Sequence, residues 1–155
     1  MKPEPPGAVA AVLPAVLRPI READVEPIAR WYDTAVVLEG SPAPLSDLLD
    51  STDHGRSLVL TDDTNQEPVG LILVAVDDPE SGWATVNLLA IAGPEERDVA
   101  ALGVALLEAH LQREAGHIRA AVPADVGLAL YFWLRLGYRP VVSSERLWMT
   151  RELAP

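Results

Sequence analysis

The sequence offers chemistry few reactive side chains. It has three histidines, no cysteine and a scatter of acids. His54, His110 and His117 are spread along the chain, and no pair has the one-turn spacing of a metal site. The lack of Cys removes disulfides, thiolate nucleophiles and sulfur-bound zinc. Ser81-Gly82 and Ser143-Ser144 lie in turns without the strand–Ser–helix setting of a nucleophile elbow, so a hydrolase triad has no support. Gly-rich nucleotide loops are absent. Three features remain. Glu39, Asp47, Asp50 and Asp53, near Trp31 and Tyr32, form an acidic and aromatic stretch that reads either as a solvated loop or as a wall suited to a cationic amine. Tyr131, Phe132 and Trp133 form an aromatic run. Asn87 stands alone in an apolar strand and needs a hydrogen-bond partner if buried.

The elements that must position these residues can be read from the hydrophobic period. Met1 to Ala11 is rich in Pro and small residues and reads as a loose N-terminal arm. Val12 to Ile20 reads as a strand, and Pro14 and Pro19 place it at a sheet edge. Val25, Ile28, Ala29 and Tyr32 recur at helical spacing, with Asp24 at the helix start. Ser41-Pro42 opens a second short helix with the stripe Leu45, Leu48 and Leu49. Three apolar runs follow, Ser57 to Thr61, Val69 to Val76 and Trp83 to Ala92. Polar turns join them, so they read as an antiparallel meander. Nearly unbroken apolar runs imply burial on both faces. Glu95 to Ala115 is an amphipathic helix whose stripe is Val99, Leu102, Gly103, Leu106, Leu107, His110 and Leu111. On that stripe His110 reads as a core-edge residue. Gly116 suits the helix C-terminus. His117 to Val122 is a strand, Asp125 to Leu136 a helix ended by Gly137, and Tyr138 to Ser143 with Arg146 to Thr150 a final strand pair.

This order gives a single α+β domain over residues 12–155. Its sheet is mixed and mostly antiparallel, with about six to seven strands and helices on both faces. The net charge of −11 disfavours nucleic acid and anionic lipid. No apolar run reaches the length of a membrane span, and the N-terminus lacks the features of a secretory signal. The expected compartment is the cytoplasm.

Four stretches together resemble the GNAT superfamily of acetyl-CoA-dependent N-acyltransferases. LRPIREADVEPIARWY resembles the family's opening strand and helix. LLAIAGPEERDVAALGVALLEAHL resembles its cofactor strand, loop and long helix, and HIRAAVPAD its next strand. LALYFWLRLGYRPV resembles its closing helix and exit. The resemblance implies acetyl-CoA as cosubstrate, no metal, and a primary amine of a small molecule or peptide as acceptor. It implies main-chain contacts to the pantetheine arm from Leu89, Ala90 and Ile91. It places the pyrophosphate near Arg97, Ala101, Leu102, Gly103 and Val104, and Trp133 against the cofactor. In the family an acid on the cofactor strand often serves as base; Thr85 and Asn87 stand at the aligned positions. GNAT-like domains often pair, and the final strand with Trp148 offers a homodimer surface. The sequence departs from the family pattern at Asp98, Ala101, Val126 and Trp133. The closing-helix Tyr that can protonate the departing thiolate aligns with Trp133, leaving Tyr131, two residues away, as the substitute acid. These departures carry an alternative: a catalytically inactive GNAT-fold binding or interaction module.

Overall fold

The computed structural model describes residues 10–12, 15–39, 44–45, 55–62, 66–123, 127–142 and 146–153. The strands are β1 (Ala10–Val12), β2 (Ala15–Pro19), β3 (Val36–Glu39), β4 (Gly55–Asp62), β5 (Pro68–Val76), β6 (Trp83–Ile91), β7 (His117–Ala121), β8 (Arg139–Val142) and β9 (Leu147–Glu152). The helices are α1 (Val25–Tyr32), α2 (Arg97–Leu111) and α3 (Gly127–Arg135), with single 3-10 turns at Glu22–Asp24 and Pro94–Glu96. All nine strands join one sheet in the order β1-β2-β4-β5-β6-β7-β9-β8, with β3 as an extra partner of β6. Among the described residues only β6 and β7 run parallel; every other pair is antiparallel.

The α+β class and the mostly antiparallel sheet agree with the sequence reading, but the strand count exceeds six to seven. The additions are β1 and β3. The expected edge strand at residues 12–20 is not an edge: β1 folds back on β2 and becomes the edge itself. The short helix expected at Ser41 to Leu49 falls outside the described residues except for Pro44 and Leu45. Residues 1–9 and Asp47, Asp50, Asp53, His54, Asp125, Val126, Ser143 and Ser144 also lie outside them.

Each sheet face has its own core. On one face α2 and α3 cover Leu17, Leu58, Leu60, Ile72, Val74, Val86, Leu89 and Ile91. On the other, Ile28 of α1 packs on Val59, Leu71, Leu73, Leu88 and Ala90. Burial on both faces explains the near-continuous apolar runs. α2 buries Val99, Ala100, Gly103, Val104, Leu106, Leu107 and Leu111, whereas His110 is exposed rather than at the core edge. At 100° per residue His110 lies within the angular span of that stripe, between Val99 and Gly103, so angle does not account for its exposure; it stands in the last turn of α2. Gly137, with φ of 90°, closes α3 in the left-handed conformation. Gly116 does not adopt that conformation; its N–H instead donates to the Gly82 carbonyl. Arg18 on β2 and Asp24 before α1 form a buried bidentate ion pair of 2.6 and 2.7 Å. It fixes the entry to α1, and the Arg18 hydrogen bond holds the Asp24 carboxyl below its usual range.

Candidate active site

The site begins with a fault in β6. Leu73 faces Leu88 and Val74 faces Val86, so Asn87 is an extra residue with no opposite number. This is a β-bulge. It reverses the alternation of side chains: Val86 and Leu89 both face α2 and α3, three positions apart, while Leu88 faces α1. Asn87 itself is exposed, so its amide can be met by solvent. The bulge also marks where β6 and β7 part. Their parallel pairing runs from Trp83 opposite His117 to Val86 opposite Ala120 and goes no further.

Beyond the bulge, the edge of β6 that β7 leaves is taken by β3. Val36 faces Ile91, Val37 faces Ala90 and Glu39 faces Leu89, with an irregularity between Val37 and Glu39. The main-chain edge of Leu89, Ala90 and Ile91 is thus bound to the chain itself. Leu38 is fully buried and Glu39 nearly so. The indole N–H of Trp133 donates to the Leu38 carbonyl at 2.7 Å. Trp133 has no solvent exposure and meets Phe132 and Tyr138 edge to face, at 5.3 and 4.8 Å between centroids. The Tyr138 hydroxyl donates to Glu108 at 2.8 Å, and Arg151 lies 3.2 Å from the same carboxylate. Burial pushes the Glu108 carboxyl up, against the opposing pull of those two partners. Burial and the nearby Glu108 push the Tyr138 phenol well above its ordinary value.

The pyrophosphate residues inferred from the resemblance are not assembled as a cradle. Ala101 to Val104 sit in the second turn of α2, where main-chain N–H groups are already used by the helix. Gly103 faces inward, and a Cβ there would collide with the Leu60 side chain. Its role is close helix–strand packing. Arg97 is exposed and its Nε donates to the Pro94 carbonyl at 3.1 Å, tied to its own turn. Glu95, Glu96 and Asp98 crowd the start of the helix. Glu96 is pushed up by burial first, then by Asp62 and Glu95. An anion approaching this end meets acids as well as the positive helix pole.

Tyr131 and Trp133 take opposite roles. Tyr131 is 57% exposed. With Arg97, Asp98, Leu128 and Arg135 it lines an open cavity of about 440 Å³ between α2 and α3. It stands away from the bulge on another helical face. Thr85 is occupied structurally: its hydroxyl donates to the Asp78 carbonyl at 2.7 Å and accepts from Arg119 at 2.9 Å. Trp31 donates to the Pro68 carbonyl at 3.1 Å and, with Tyr32, packs under the α1 face. Among the described residues no group of His, Cys, Asp or Glu could hold a metal, and no helix is long and apolar enough to cross a membrane.

Solved structures match this chain along most of its length. An acetyltransferase from Thermus thermophilus superposes with a TM-score of 0.73 at 23% identity, over 93% of this chain and 100% of that one. The GNAT domain of S. lividans PAT gives 0.69 at 18%, over 90% of each chain. The ribosomal-protein-S18-alanine N-acetyltransferase from Escherichia coli gives 0.65 at 15%, over 91% of this chain and 95% of that one. This is the GNAT fold. No family model and no curated protein matches the sequence. Within the GNAT fold, β6 is the cofactor strand of the resemblance and β3 stands beside it where the sequence reading had no element. The sequence signal for β3 was slight: Val36-Val37-Leu38 is a short apolar run soon after a helix.

Proposed function

We propose that the chain is a GNAT-type N-acetyltransferase that takes acetyl-CoA as cosubstrate and a primary amine of a small molecule or peptide as acceptor. One observation carries this reading: β6 and β7 pair in parallel, then separate at the Asn87 bulge, with α2 following β6 directly. That wedge is the architectural basis of the resemblance. The main-chain groups of Leu89, Ala90 and Ile91 are the proposed seat of the cofactor arm. In this closed form they do not fit it, because β3 already pairs with them. No side chain at the bulge is placed as a base, since Asn87 is neutral and Thr85 is occupied. Tyr131 is the remaining candidate acid, on the exposed face of α3. Such a site would work by holding a neutral amine in place rather than by moving protons.

Calorimetric titration with acetyl-CoA and free CoA, followed by an amine screen, tests this. Micromolar to sub-millimolar binding and turnover with some amine support it. A folded protein that binds neither to millimolar levels sinks it. A second reading, the inactive binding or interaction module, draws on the filled slot and the acidic start of α2. It expects weak CoA binding or none, even when β3 is loosened.

A further inference from the structure

We infer that β3 is an internal plug: Val36–Glu39 holds the β6 edge that an acyl-CoA arm needs, and acyl-CoA binds by displacing it. The inference rests on the acyltransferase reading above and concerns how that site is controlled.

Three observations support displacement. The first is position. β3 lies on the same edge of β6 as β7, immediately past the bulge, and runs from Ile91 toward Leu89, that is, from the α2 end into the wedge. The second is chemistry. β3 offers extended main-chain amides to Leu89 and Ile91. A pantetheine arm is an extended chain that also carries amides. Exchanging one for the other leaves no buried polar group of β6 unpaired, so the hydrogen-bond cost is small. The third is the asymmetry of attachment. β5 grips β6 along nearly its whole length, from Gly70 opposite Ile91 to Val76 opposite Ala84. β3 grips it at three residues, with a register fault among them, and lies off the main strand path. Trp133 supplies the latch from α3, through its bond to the Leu38 carbonyl.

The consequence is a tax on affinity. An internal strand competes at an effective concentration on the order of millimolar. The apparent dissociation constant for acyl-CoA is the intrinsic one divided by the fraction of molecules with β3 released. Anything that loosens β3 therefore tightens acyl-CoA binding, and anything that fixes β3 abolishes it.

The test uses the full chain. Val37 and Ala90 are opposite each other and pack in the same cluster. The native chain has no cysteine, so a Val37→Cys, Ala90→Cys variant carries one thiol pair. The oxidised variant should bind no acetyl-CoA at millimolar concentration, and reduction of the same protein should restore binding. Trp133→Phe, which removes the latch but keeps an aromatic ring, should bind acetyl-CoA roughly tenfold more tightly than native. Equal binding by oxidised and reduced forms overturns the plug and leaves the acyltransferase reading standing. Amide exchange without ligand gives a second readout. Val37, Leu38, Leu89 and Ile91 should exchange through an opening cheaper than global unfolding, while Leu71 to Val74 should not. Exchange of both sets only by global unfolding overturns the plug, whatever the ligand. Local opening of β3 with no acetyl-CoA binding, even in Trp133→Phe, sinks the acyltransferase reading and with it displacement by acyl-CoA.

Discussion

The two halves of β6 belong to one strand, yet they have different neighbours in the sheet. Trp83 to Val86 sits between β5 and β7 and is cross-tied on its outer side. Trp83 stacks on His117 at 4.7 Å, and Arg119 bonds Thr85 while lying 3.8 Å over Trp148. Leu88 to Ile91 sits between β5 and the short, faulted β3. One extra residue separates these regimes. The bulge at Asn87 bends the strand, turns its edge from β7, and swaps which side chains face which layer. An exposed polar side chain inside an apolar run thus marks where the neighbour of β6 changes from β7 to β3.

Deleting Asn87 should reshape the wedge most. The residue removed is the one without an opposite number, so deletion closes the bulge and keeps Leu88 on the α1 side and Leu89 and Ile91 on the α2 side. It removes the local bend that turns the edge of β6 from β7 to β3, so β3 should lose its place. The expected outcome is a cooperative urea transition together with fast amide exchange at Val37 and Leu38. A variant that keeps those amides protected would mean the bulge does not decide which strand takes that edge.

Paired truncations sharpen the contrast. Ile118 and Leu38 are both fully buried, the first beside the closed half of β6 and the second in β3. Ile118→Ala should cost about 2–5 kcal/mol in global stability. Leu38→Ala should cost less, because once β3 is destabilised beyond its opening energy the chain rests with β3 released and loses nothing more. Equal losses in denaturant titration would make β3 an ordinary core strand. Gly103→Val tests the α2 packing behind the wedge. Its side chain must push on Leu60, with an expected cost of about 1–3 kcal/mol in stability before any ligand is added. A stable variant would free Gly103 from its packing role.

Much of this frame was legible from period alone. α2, the β4–β5–β6 meander and the final strand pair stand out because long runs keep one period and turn residues punctuate them. Asn87 was visible as the odd residue in its strand. What it does was not visible, since a bulge is a property of two strands in register. β3 was hidden for a similar reason: so short a segment carries no periodicity, and its pairing partner lies far along the chain. The resemblance sets Trp133 against the cofactor. The structure gives its indole N–H to Leu38, a contact that no spacing within α3 encodes. The α2 motif is displaced because the helix begins at Arg97, which carries Ala101 to Val104 past the free N–H groups.

The smallest effect concerns charge where the open half of β6 runs into α2. Glu96 is pushed up by burial and by the acids around it, Asp62 and Glu95. The folded chain therefore holds a proton at Glu96 more tightly than the unfolded chain does. Stability from this group is greatest below the ordinary glutamate pKa and is lost as pH rises through that value toward the raised one. Glu96→Gln should flatten that part of the stability–pH curve and raise stability at neutral pH. Glu96 is partly solvated, so screening limits the gain to about a few tenths of a kcal/mol. Added salt should shrink the difference further, because the Asp62 and Glu95 repulsions are screened while burial is not. If the gain survives molar salt unchanged, burial alone sets the proton affinity. The acids at the start of α2 would then impose little field on an incoming anion, and the closed state of this end would rest on β3 rather than on charge.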